Sequence, residues 1–146
     1  MDGMTLLRLE HKRIASLATE LAAIVNQRTP PEPLKFLAFR REFRMALAVH
    51  LAREDWVVYP KLLADARPDV RALAMRFAAE ALAFSDAFRD HGRQWTAVAI
   101  AADWPGFGKA TLAMLVLLQQ RIRVEDRELY PLADDVGCDL RLRQAG

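Results

Sequence analysis

Three histidines, two glutamates and one arginine carry the chemistry that this sequence can do. His50 and Glu54 lie four residues apart in HLAREDWVVYP (50–60), and Glu125 stands in RIRVEDRELYP (121–131). Glu54, Asp55, Tyr59 and Pro60 recur 71 positions later as Glu125, Asp126, Tyr130 and Pro131, whereas His50 recurs as Arg121. On a helix, four residues span about 6 Å along the axis and about 40° around it, so His50 and Glu54 can address one axial point. One turn then supplies a nitrogen and an oxygen donor. Neutral imidazoles and carboxylates without an inward thiolate suit iron, manganese or zinc, and spacing does not separate these metals. A guanidinium has no acceptor lone pair and cannot ligate a metal, so Arg121 breaks the repeat chemically.

The elements that must position these groups read as helices. Apolar residues recur at helical spacing over about 4–27, 33–65, 68–101 and 107–136. The breakers NQRTPPEP, DARPD and DWPGFG separate these segments. Pro33 and Pro68 fall near helix starts, Thr29 and Asp65 are candidate caps, and Pro60 and Pro131 predict a kink or an early stop after each tyrosine. The first segment stacks Leu7, His11, Ile14, Ala18 and Leu21 on one stripe. The second stacks Phe43, Leu47, His50, Glu54 and Val58, and the third Phe84, Phe88, His91, Trp95 and Val98. The fourth stacks Met114, Leu118, Arg121, Glu125 and Leu129. Each of the first three helices is thus expected to turn one histidine inward. Buried carboxylates are costly unless paired or bound to a cation. A shared metal ion answers that cost, and so does a metal-free, hydrogen-bonded core layer.

The acid–His pairs Glu10-His11 and Asp90-His91 echo each other at an offset of 80, so the chain reads as two helical hairpins of one type. Short links between them predict an all-α, up-down-up-down antiparallel four-helix bundle. One domain over residues 1–146 is expected, with the bundle at about 4–136 and a short C-terminal tail. Hydrophobic residues make up 53% of the chain, with only six Gly, which favours helix over sheet. The 21 basic and 19 acidic residues are interspersed, and no clustered basic face marks a nucleic-acid partner. No apolar run reaches the length of a membrane span and the N-terminus has no signal-peptide core, so a cytoplasmic protein is expected. Cys138 is the only cysteine, and no chemistry is assigned to it.

The ordered set of Glu10-His11, HLARED with VYP at 50–60, Asp90-His91 and VEDRELYP at 124–131 resembles the hemerythrin-like proteins with the HHE cation-binding domain. The resemblance runs from about residue 4 to 136. It implies a four-helix bundle around a non-haem di-iron centre, with histidines as terminal ligands and two carboxylates as bridges. By position, His11 and His50 would hold one iron, His91 the other, and Glu54 and Glu125 would bridge. The family's remaining histidine belongs where this chain has Arg121, and Ala87 and Trp95, one turn either side of His91, cannot serve as a further ligand. Three outcomes stay open: a mononuclear site, a di-metal site with water in place of the missing imidazole, or a metal-free layer neutralised by Arg121.

Tyr59 and Tyr130 are expected to pack in the core or to partner the carboxylates, and Asp55 and Asp126 to face solvent or to pair along their helices. Trp56, Trp95 and Trp104 are expected to fill core volume, and Arg40, Arg41 and Arg44 to form a solvated face or a partner surface. The leading expectation is a metal-binding protein, with iron favoured, that binds or senses oxygen, nitric oxide or iron. A small diatomic ligand and a protein partner are implied, and a dimer is compatible with the sequence. The alternatives are a metal-free regulatory or interaction module and an iron enzyme that activates oxygen or peroxide.

Overall fold

A computed structural model describes residues 1–137; Cys138 and the C-terminal tail lie outside the described residues. The elements are α1 (Gly3–Val25), α2 (Pro33–Leu63), α3 (Pro68–Gln94), the short α4 (Ala97–Ala102), α5 (Trp104–Val124), a π-helical turn (Glu125–Leu129) and α6 (Tyr130–Val136). No strand occurs among the described residues, and none of their helices is long and apolar enough to cross a membrane. The architecture is the expected all-α bundle.

Helix α1 starts at Asp2, whose side chain accepts from the Thr5 N–H at 2.7 Å. At the head of α2 the cap is Glu32, which accepts from Leu34 N–H and Lys35 N–H, in place of the expected Thr29. Asp65 accepts from the Arg67 N–H inside the link, and α3 begins without a side-chain cap. The third segment does not continue to 101. Trp95 leaves helical geometry, and Thr96 caps α4 by accepting from Ala99 N–H. Asp103 then caps α5 by accepting from Gly106 N–H, so this helix begins at Trp104, ahead of the expected 107.

The two internal prolines act differently. Helix α2 runs through Pro60 to Leu63, so the expected stop after Tyr59 does not occur. Before Pro131 the helix widens, and the Tyr130 N–H bonds to the Glu125 carbonyl five residues back. A π turn gives room to a ring that would otherwise press on the carbonyl of the preceding turn. The same E-D-x-x-x-Y-P sequence therefore lies on a regular helix in one copy and on a π turn in the other.

Helix α1 packs on α2 and α5, α2 on α3, and α3 on α5, which closes a four-membered ring. The core within it is in two parts. Ile14, Phe43, Leu47, Phe84, Phe107 and Leu118 belong to one apolar cluster, and Leu7, Val58, Leu62, Phe77, Leu129 and Tyr130 to the other. His11 lies between Leu7 and Ile14 along α1, His50 and Glu54 lie between Leu47 and Val58, and Glu125 lies between Leu118 and Leu129. A polar layer thus crosses the bundle between two apolar halves. Trp95 and Trp104 join the first half, but Trp56 is 83% exposed and supplies no core, because it stands off the α2 stripe.

Candidate metal centre

Four buried side chains converge in the polar layer. His11, His50, Glu54 and Glu125 each place a donor atom so that all four lie within 4.8 Å of one another. His11 Nε2 is 3.0 Å from Glu125 Oε1, and His50 Nε2 is 2.8 Å from Glu54 Oε1 and 3.8 Å from Glu125 Oε1. A tetrahedron of ligands around a metal with bonds near 2.0–2.1 Å has edges of about 3.3 Å. The cluster matches that scale. Both Glu54 oxygens and Glu125 Oε2 are buried without an aligned hydrogen bond, although cationic groups stand near them, as expected of oxygens suited to a cation.

The outer ring nitrogens of the histidines are held by two further carboxylates. His11 Nδ1–H donates to Asp126 Oδ1 at 2.8 Å, and His50 Nδ1–H donates to Glu10 Oε1 at 3.1 Å. Arg53 Nε–H in turn donates to Glu10 at 3.0 Å. With a metal ion in place, the proton kept on Nδ1 would leave a neutral imidazole to present its Nε2 lone pair to the centre, which is how carboxylates orient metal-binding histidines. Neither acid was expected in this role. Glu10 is visible in the sequence as the neighbour of His11, yet it serves the histidine of the next helix. Asp126 was expected to face solvent or to pair along its helix; it stays exposed, on the π turn, and reaches across to the outer nitrogen of His11. Asp55, its counterpart on the regular helix, is also exposed and makes no such contact.

Arg121 and the tyrosines close the layer. One Arg121 Nη2–H donates to Tyr59 Oη at 2.8 Å, and the same nitrogen is 3.3 Å from Glu125 Oε2. Tyr130 Oη lies 2.9 Å from His11 Nε2 and 3.3 Å from His50 Nε2. Burial pushes both phenols well above their ordinary pKa, with Glu54 adding to the effect, so both keep their protons. Burial alone would lower the His50 pKa, but contacts with Glu10, Glu125 and Glu54 raise it to about 11. Burial raises Glu54, and the Glu125 charge raises it further. For Glu125 burial is outweighed by His11, His50 and Arg121, and the carboxyl is held below its usual range.

His91 does not join them. Counted from the 64–67 link, the residues of α3 level with Glu54 and His50 are Phe77 and Ala81, both buried and apolar. His91 lies ten residues past Ala81, about 15 Å further along the axis. There His91 Nε2 is 3.1 Å from Thr111 Oγ1, and the ring packs beside Phe107 at 5.8 Å. Burial, and then the charges of Arg40 and Arg44, lower its pKa to about 4. The histidine is therefore neutral when folded, whereas it titrates near 6.5 when unfolded. Between these values the unfolded chain binds more protons, so stability is present above pH 6.5 and falls as the pH is lowered toward 4. Urea midpoints measured from pH 7 to pH 4 should show a smaller acid loss in His91→Gln than in the unaltered chain; equal loss in both would sink this assignment.

The family model of the hemerythrin HHE cation-binding domain matches residues 2–133. No curated protein and no solved structure was found to match the chain. The family match takes in all four long helices and both copies of the E-D-x-x-x-Y-P repeat, and the chain belongs to the hemerythrin HHE cation-binding domain family.

Proposed function

We propose that this protein binds one non-haem metal ion per chain, iron by preference, through His11, His50, Glu54 and Glu125. The observation that carries the proposal is the convergence of these four donors on one point, while α3 offers only Phe77 and Ala81 at the same level. A second ion would need donors from α3 and from position 121, and neither is a ligand. Of the three outcomes left open by the sequence, this favours the mononuclear site over the di-iron arrangement that the family resemblance implies. Manganese and zinc suit the same donors. When bound, a ferrous ion supplies a redox-active centre with affinity for oxygen or nitric oxide, and sensing or binding of such a ligand is the role we favour over catalysis.

The surrounding residues have distinct parts in this role. Glu10 and Asp126 hold the imidazole tautomers, Tyr130 sets its hydroxyl against both Nε2 atoms, and Arg121 offsets the charge of Glu125 on the side away from His11. The two apolar halves keep bulk water from the layer.

Arg121 also favours a second reading. His50 and Arg121 carry positive charge opposite two carboxylates, so the layer can balance itself without a metal, as a regulatory or interaction module would require. Metal content per chain after anaerobic loading with Fe(II), measured by inductively coupled plasma mass spectrometry, separates the two. One ion supports the proposal; none supports the metal-free module, and two would restore the di-iron site. Asp126→Asn run in parallel should bind iron about 10–100-fold more weakly with the fold intact, the usual cost of losing a carboxylate behind a metal-bound histidine. Unchanged affinity would remove Asp126 from the site.

A further inference from the structure

Around His91, away from the polar layer, Arg40 and Arg44 stand without a counter-charge among the described residues. Arg40 Nη2, His91 Nδ1 and Trp95 Nε1 are all buried and have no hydrogen-bond partner. All three side chains surround the Phe107 ring: the Arg40 guanidinium carbon is 5.5 Å from its centroid, and the His91 and Trp95 rings are at 5.8 and 5.6 Å. Arg44, one turn on from Arg40, lies over Phe88 at 4.2 Å. Its guanidinium fills the space beside Gly92, where any Cβ would collide with Nη2. Among the described residues no carboxylate pairs with either arginine. Burial lowers the pKa of both, and in Arg40 the charge of Arg44 lowers it further.

Such an arrangement is costly on its own terms. Like charges one turn apart repel, and a half-buried guanidinium with an orphaned N–H loses hydration without return. Arg40, Arg41 and Arg44 also line a groove of about 390 Å³ between α2 and α3, with Leu37, Met45 and Phe88 as apolar walls. A planar guanidinium pair is suited to an oxyanion, which it can hold by paired N–H donors. The apolar walls suit a hydrocarbon or aromatic body attached to that oxyanion.

We propose that this groove binds a small molecule carrying a phosphate or carboxylate group, with Arg40 and Arg44 holding the oxyanion and Phe88 and Met45 contacting its body. The site is separate from the metal centre and does not depend on it. A bound anion would also offset the positive potential at His91, and the imidazole would report binding by an upward move of its own titration.

Isothermal titration calorimetry of the protein as purified, in low-chloride buffer, tests the proposal with phenyl phosphate, benzoate and inorganic phosphate as probes. Saturable binding of at least one is expected. Arg40→Gln and Arg44→Gln should each weaken it about tenfold, the loss of one charge-assisted hydrogen bond. Equal affinity for phenyl phosphate and inorganic phosphate would identify free phosphate as sufficient, and tighter aryl binding would identify a small organic anion. No binding of any probe, or affinity unchanged in both variants, overturns the site. Should a variant fail to fold, the unaltered protein still decides by NMR: a His91 titration that does not rise with saturating probe is an overturning result.

Discussion

Glu54→Gln will bind iron about 100-fold more weakly than the unaltered chain and, free of metal, will unfold at an equal or higher urea concentration. Both Glu54 oxygens are buried; Oε1 has the His50 imidazole at 2.8 Å without an aligned hydrogen bond, Oε2 has no partner, and the carboxyl stands beside a second carboxylate, Glu125. A carboxylate so placed weakens the metal-free protein, because its desolvation is not repaid by an aligned hydrogen bond. Glutamine keeps the shape and removes the charge. The metal loses an anionic donor, and an equal share among four ligands of the roughly 10–16 kcal/mol found for closed metal sites is about 3 kcal/mol, or 100-fold. Competition against a chromophoric chelator gives the affinity, and urea unfolding of the metal-free form gives the stability. Normal affinity with lowered stability would show that Glu54 is a structural acceptor, and the proposed site would fall.

Arg121→Ala should have the opposite signature. Its side chain is almost fully buried against Glu125 and Tyr59, and its removal leaves Glu125 with one cationic neighbour fewer and a phenol without its donor. Breaking a buried pair by removing one partner costs about 3–5 kcal/mol. Retained links from His11 and His50 to Glu125 place the expected loss of the metal-free form near the lower figure, about 3 kcal/mol. The iron-loaded form should lose less, because the ion supplies part of the missing charge. Equal losses with and without iron would show that Arg121 does not act on the layer's electrostatics. Arg121→His is expected to leave the stoichiometry at one ion, since Phe77 and Ala81 still face the place of a second. Two ions per chain in that variant would contradict this account of α3.

Most of the centre was legible from residue spacing. His50 and Glu54 share a helical face by their four-residue separation, and His11 and Glu125 sit at apolar-stripe positions, so all four were expected inward and all four are buried together. The misplacement of His91 has a simple cause. Asp90-His91 resembles Glu10-His11 in type, but its height in the bundle is fixed by its distance from the 64–67 link, and that count places Phe77 and Ala81 at the layer. Asp126 was hidden because it is an exposed residue whose contact with His11 runs between helices and leaves no mark in the spacing. Glu10 was hidden by topology, since its partner is on the adjacent helix. Trp56 was read from residue type alone, although its position lies off the buried stripe.

The polar layer between the two apolar halves has a mechanical meaning. Each half is a stack of hydrophobic contacts, and where they meet, the helices face one another across the polar layer rather than across apolar side chains. An ion gripped from α1, α2 and the π turn, as proposed, would act as a rivet through that seam, fastening three helices at one height. With the rivet in place the ends of the bundle would open together. Without it, each end can fray on its own account, as contiguous units of low local stability do.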